Sequence, residues 1–77
     1  MSKVQIENII DHLEPLPHDV YNYTKVNNLE PLKASALAVM IWYEGATRWI
    51  PFSVLRTDLN RNIWMANWFI EKEKIYL

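Results

Sequence analysis

Apolar residues at Ile6, Ile9, Ile10 and Leu13 recur at i, i+3, i+4 and i+7, the stripe of an amphipathic helix. Glu7, Asp11 and His12 fall on the other side. Ser2 and Gln5 stand at capping-box spacing ahead of the stripe, and Pro15 turns Glu14 away from helical backbone. The pattern predicts a helix over 3–13.

From Glu14 to Leu32 the periodicity disappears, and Pro15, Pro17, the Asn27-Asn28 pair and Pro31 punctuate a loop-rich stretch. Within it Val20 to Val26 is rich in β-branched and aromatic residues and reads as a short edge strand. The tetrapeptide Leu-Glu-Pro-Leu occurs at 13–16 and again at 29–32. One such match is no solenoid repeat and reads as two similar stops before a change of direction.

Lys33 to Tyr43 has no polar stripe of helical period, and Val39, Ile41, Trp42 and Tyr43 favour a strand. Gly45 is the only glycine, and a tight hairpin needs a residue that takes positive φ without strain. The expectation is a hairpin of strands 34–43 and 47–50, continuing past Pro51 to Val54. Pro51 lacks an N–H and belongs on an edge or at a bulge. Asp58 to Asn62 is a polar turn, Ile63 to Ala66 a third short strand or the approach to a helix, Asn67 an N-cap and Trp68 to Lys74 a short helix. A single helix starting after Asp58 is the competing reading. Trp64 and Trp68 would then share a face, one in the core and one at its rim. Together these elements give an α+β fold in one domain, 1–77: an N-terminal helix packed on a small antiparallel sheet (hairpin about 34–54), then a short C-terminal helix. Trp49 is expected to be buried between hairpin and C-terminal helix, where truncation to Ala would cost about 3–5 kcal/mol.

Size changes the picture. A chain of 77 residues buries only about 60% of its unfolded surface, too little to hide four Trp, four Tyr and two Phe. Some aromatic surface is left for a partner, and Trp and Tyr dominate interface hot spots. The absence of cysteine excludes disulfides, thiolate metal sites and a cysteine nucleophile. The longest apolar run, Ala36 to Tyr43, is far short of the roughly 20 residues of a membrane-spanning helix, and Met-Ser-Lys-Val-Gln at the start is no signal sequence. The expectation is a soluble, cytoplasmic protein with no membrane partner.

Charge is uneven. Residues 1–47 carry three lysines against six carboxylates, and residues 48–77 five cations against three carboxylates. Neither part has the basic stripe of a nucleic-acid footprint. Arg48 and Arg56, sharing strand parity, would form a split basic patch or protect a sheet edge. His12 and His18 with Asp11 and Asp19 lie around two prolines and match no zinc ligand set. Ser53 has no histidine near it in sequence, and one glycine excludes a glycine-rich phosphate loop. No catalytic residue, cofactor or metal is expected, and the chain does not read as an enzyme.

Trp49, Ile50, Pro51 and Ser53, followed by Ile63, Trp64, Trp68 and Lys72, form a Trp-Ile-Pro-x-Ser … Ile-Trp-x-x-x-Trp pattern. It covers about residues 33–75 and resembles small uncharacterised proteins of bacteriophages and other mobile elements. This chain departs from that pattern at Ala66-Asn67, where a proline and an acidic residue usually precede the second tryptophan. The resemblance implies a fold and no common activity. With the aromatic surplus, it implies a phage or mobile-element accessory protein that binds, and in doing so inhibits, a host or defence protein. The expected partner-binding residues are Trp42, Tyr43, Arg48, Arg56, Trp64 and Trp68, and a homodimer through the same patch is the simplest form of such binding. The alternative is a small nucleic-acid-associated protein using Arg48, Arg56, Arg61, the C-terminal lysines and an exposed aromatic.

Overall fold

The computed structural model describes residues 9–26 and 28–77. Among these residues seven strands run in chain order: β1 (Glu14–Pro15), β2 (Tyr23–Lys25), β3 (Pro31–Ala34), β4 (Ala38–Tyr43), β5 (Ala46–Pro51), β6 (Leu55–Thr57) and β7 (Ile63–Ala66), followed by a C-terminal helix, Asn67–Glu73. They form two sheets, one ordered β1-β6-β7-β2 and the other β3-β4-β5. The β1–β6 pair is parallel and the remaining pairs are antiparallel. A 3-10 turn, Phe52–Val54, carries the chain from one sheet to the other, and both Phe52 and Val54 are buried. The inward residues of the two sheets share one core: Val39, Ile41, Tyr43 and Ile50 from the first, Leu55, Ile63 and Met65 from the second, with Phe69, Ile70 and Ile75 from the C-terminal segment.

This corrects the expected fold class. Among the described residues the fold is mostly β, with two sheets as its layers and a short C-terminal helix, in place of an α+β body built on a single hairpin sheet. The expected helix 3–13 lies mostly outside the described residues. Of its described part, Ile9 and Ile10 are helical and buried. Bonds of 3.0 Å from the His12 and Leu13 N–H groups to the Ile9 and Ile10 carbonyls close the turn that leads into β1.

The hairpin has different bounds from those expected. Ser35 interrupts the first strand: its Oγ accepts the N–H groups of Leu37 and Ala38 at 3.2 and 3.1 Å. Its own N–H donates to the Ala38 carbonyl at 2.8 Å. A hydroxyl that satisfies local backbone donors offers the chain a turn in place of continued pairing, so residues 31–34 fold back as β3, a separate edge strand. The other end stops at Pro51. At the tip, Glu44 and Gly45 both take positive φ, 48° and 82°, and are flanked by the Tyr43–Ala46 pair. Two left-handed residues between antiparallel strands make a type I′ turn, whose twist matches the strands. Gly45 and the edge position of Pro51 agree with the sequence reading. So do β7 and the helix after it, except that Asn67 is inside the helix and Ala66 occupies the cap without a side-chain bond.

The helix ends with Lys74 in left-handed backbone, φ 58° and ψ 42°. The Ile75 N–H reaches the Ile70 carbonyl at 3.2 Å, the six-to-one bond of a Schellman motif, and Ile70 and Ile75 supply its accompanying apolar contact. Among the described residues no helix is long and apolar enough to cross a membrane.

Glu44 holds a left-handed conformation that costs a side-chain-bearing residue about 1–2 kcal/mol, and asparagine tolerates it best. Replacing Glu44 with Asn is expected to raise stability by about 0.5–1 kcal/mol, while Gly45→Ala, though it meets no atom, is expected to lower it by about 1 kcal/mol. Urea denaturation of the two variants checks both signs.

Candidate functional site

Alternation along β4 and β5 sorts the sequence-expected residues. Val39, Ile41 and Tyr43 point inward with Ile50. Ala38, Met40 and Trp42 point outward, and the register sets Ala38 opposite Pro51, Met40 opposite Trp49 and Trp42 opposite Thr47. Residues directly opposite share a face. The outer face of the three-stranded sheet therefore carries Trp42 and Trp49 as diagonal neighbours with Met40 beside them. The indoles remain 48% and 49% exposed. Lys33, opposite Met40 in β3, lays its Nζ 6.0 Å from the Trp49 ring centroid, within cation–π reach. Trp49 is thus no wedge between hairpin and helix, as the sequence suggested: its parity puts it on the outer face, and Ile50 takes the inward position.

Tyr43 is on the inward face and only 8% exposed. Its hydroxyl accepts the Tyr76 N–H at 2.9 Å. Arg48, also inward by parity, donates from a guanidinium nitrogen to the Glu73 carbonyl at 3.3 Å. A cation at the last carbonyls of a helix suits both their lone pairs and the helix dipole. These two side chains tie the hairpin tip to the C-terminal segment.

The other expected residues lie elsewhere. Arg48 and Arg56 do not share a strand, because the chain changes sheets between them. Arg56 is on β6, where it donates to the Ser53 and Leu55 carbonyls at 2.7 and 2.8 Å and stands over the Tyr23 ring at 5.5 Å. Trp64 is on β7 between Arg56 and Lys25 in register, with Lys25 Nζ 5.9 Å from its ring. Trp68 is on the C-terminal helix, 60% exposed, edge-on to Phe69. Strand and helix separate Trp64 from Trp68, so they do not form the i, i+4 pair of a single helix. Leu37, in the turn before β4, is exposed as well, and neither it nor Met40 stands out in sequence because alanines and aliphatics surround both.

Asp58 organises the β6–β7 loop. One carboxylate oxygen accepts the Asn60 and Asn62 N–H groups, both at 2.9 Å. The other accepts the Asn62 side-chain amide at 3.1 Å and the Trp64 indole N–H at 2.9 Å. The indole bond above all, with the amide donors, holds its pKa down from 3.8 to about 2 against a smaller opposing effect of desolvation. Two shallow clefts accompany these features. One of about 360 Å³ lies between β2 and the helix, floored by Val26, Ile70 and Ile75 with Asn67 and Glu71 at its side. The other, of about 490 Å³, lies by Pro15, Pro17, His18 and the Asp58 loop. Among the described residues no group of three or more His, Asp or Glu side chains gathers as a metal site.

No family model, curated protein or solved structure matches this chain.

Asp58 has a native pKa below its unfolded value, so its contribution is fully present above about pH 4 and is lost as pH falls through about 2. Asp58→Asn is expected to be less stable than the unsubstituted protein at pH 7. The gap should close between pH 4 and 2 as the native carboxyl protonates. Urea midpoints across that range check it.

Proposed function

We propose that the protein acts by stoichiometric, non-enzymatic binding of another protein through the outer face of β3, β4 and β5. The observation that carries this reading is the pair of half-exposed indoles, Trp42 and Trp49, set side by side on one rigid sheet. A tryptophan on a strand offers large contact area at little entropic cost, and it is the residue type most enriched among energetic anchors. Met40 between them adds an adaptable apolar contact. The phage and mobile-element resemblance of residues 33–75 makes a host or defence protein the partner class, with inhibition as the consequence of occupancy.

The nucleic-acid reading finds less support. Arg48 is on the inward face of β5, and Arg56 is on the other sheet, bonded to two carbonyls and set over a tyrosine ring, so these two arginines do not join the exposed indoles in a single basic surface of the kind phosphate tracking needs.

Capture from lysate of the source cell, with and without nuclease, tests this reading. The protein is expected to retain a stoichiometric protein partner after nuclease treatment, and Trp42→Ala with Trp49→Ala to lose it. Each substitution is expected to cost about 1 kcal/mol or less at these half-exposed sites, against about 2–5 kcal/mol for Ile41→Ala in the core. Retention that nuclease abolishes, or a partner retained undiminished by the double variant, would contradict it.

A further inference from the structure

β5 is an edge strand: β4 pairs with one side of it, and among the described residues no strand pairs with the other. Its free backbone groups follow from register. In a hairpin closed by a two-residue turn, the flanking pair Tyr43–Ala46 exchanges hydrogen bonds, and the exchange recurs every second residue. The Phe52 N–H bond to the Leu37 carbonyl, 2.8 Å, continues that alternation past the strand end. Ala46, Arg48 and Ile50 thus spend their backbone groups on β4, while those of Thr47, Trp49 and Pro51 face outward. Pro51 has no N–H to offer. The open template is the N–H groups of Thr47 and Trp49 with the carbonyls around them, and both residues are exposed. Open edges of this kind accept a further strand.

Resting on the binding function above, we propose that this edge is the docking line and that its occupant is an extended segment of the partner, paired antiparallel to β5 and bearing a carboxylate opposite Arg48. Charge decides the chemistry. The strands of this sheet carry two cations, Lys33 and Arg48, and no carboxylate. They flank Trp49 from opposite faces, Lys33 on the outer and Arg48 on the inner. The guanidinium uses one nitrogen on a carbonyl and has further donors to offer a planar carboxylate.

The same geometry works against a second copy. Self-pairing that employs all four outward N–H groups sets Thr47 opposite the partner copy's Trp49 and therefore stands the two Arg48 side chains directly opposite each other, where like charges destabilise a sheet. Shifting the register to set Trp49 opposite Trp49 puts each Thr47 against a Pro51, so two bonds fail for want of a donor. An acidic strand meets neither obstacle.

The probes are two capped heptapeptides, one of alternating valine and glutamate and one of alternating valine and lysine, titrated into the ¹⁵N-labelled protein. The glutamate peptide is expected to shift the Thr47 and Trp49 backbone amides most and to bind about tenfold more tightly than the lysine peptide. Thr47→Pro removes one outward donor without touching the β4 ladder and is expected to weaken the glutamate peptide about tenfold. A glutamate peptide N-methylated at alternate residues makes the same test on the unsubstituted protein. Equal binding of the two peptides, or shifts confined to the Trp42 and Trp49 indoles, would overturn the edge proposal. So would shifts at Thr47 and Trp49 that follow protein concentration without peptide, which would identify a second copy as the occupant. The capture experiment on the Trp42 and Trp49 face is read separately, so either proposal can fail alone.

Discussion

The two-residue turn at Glu44–Gly45 fixes the pairing of β4 with β5, and most of the structure's distinctions between inside and outside follow from that pairing. Both turn residues hold positive φ, so the loop has a fixed length. The register then matches Val39 to Ile50 and Met40 to Trp49. A slip of one residue would exchange the two faces, pressing tryptophans into the core and turning β-branched aliphatics to water. The fully buried positions Val39, Ile41 and Ile50 oppose that slip with their burial. The exposed indoles are the other consequence of the same constraint: once these aliphatics are inward, Trp42 and Trp49 have only the outer face.

That hairpin also holds the end of the chain. Tyr43 and Arg48 flank the turn, and they are the side chains that bond the Tyr76 N–H and the Glu73 carbonyl. The Schellman end of the helix buries Ile75 against the core, and the hairpin tip supplies partners for polar groups near the helix terminus. Tyr43 and Arg48, both expected to meet a partner, therefore have structural contacts, and Arg48 keeps further donors at the β5 edge, while the exposed indoles lie on the opposite face of the same strands. A small body gains from this arrangement. Buried inward-facing groups hold the fold, and the outer face and the edge of β5, unpaired among the described residues, can engage a partner without disturbing them.

The turn at Gly45 and the edge position of Pro51 were legible in the sequence because each rests on a local rule of backbone geometry, whereas the strand-to-helix passage at 63–73 was one of two readings, the other a single helix after Asp58. The separate strand β3 was not. Its signal is the lone hydroxyl of Ser35 amid apolar residues, and the bonds it makes to Leu37 and Ala38 arise only once the chain folds back. The faces of β4 were also hidden, since Val39 to Tyr43 is apolar at every position and alternation has nothing polar to mark. The burial of Ile50 in preference to Trp49 depends on the second sheet, whose strands are two to four residues long and too short to announce themselves by period. For the candidate site, the sequence showed that aromatic surface exceeds what the core can take. Which tryptophans remain outside was decided by parity.

The central claim is that parity at β5: alternate residues turned to β4 and to an open edge. Amide hydrogen exchange followed residue by residue by NMR reads it directly. The N–H groups of Arg48 and Ile50 are expected to be protected to the level of the core strands, and those of Thr47 and Trp49 to exchange far faster although they lie between them. Uniform protection along β5, or protection of Thr47 and Trp49 in place of their neighbours, would contradict the register and with it the open edge.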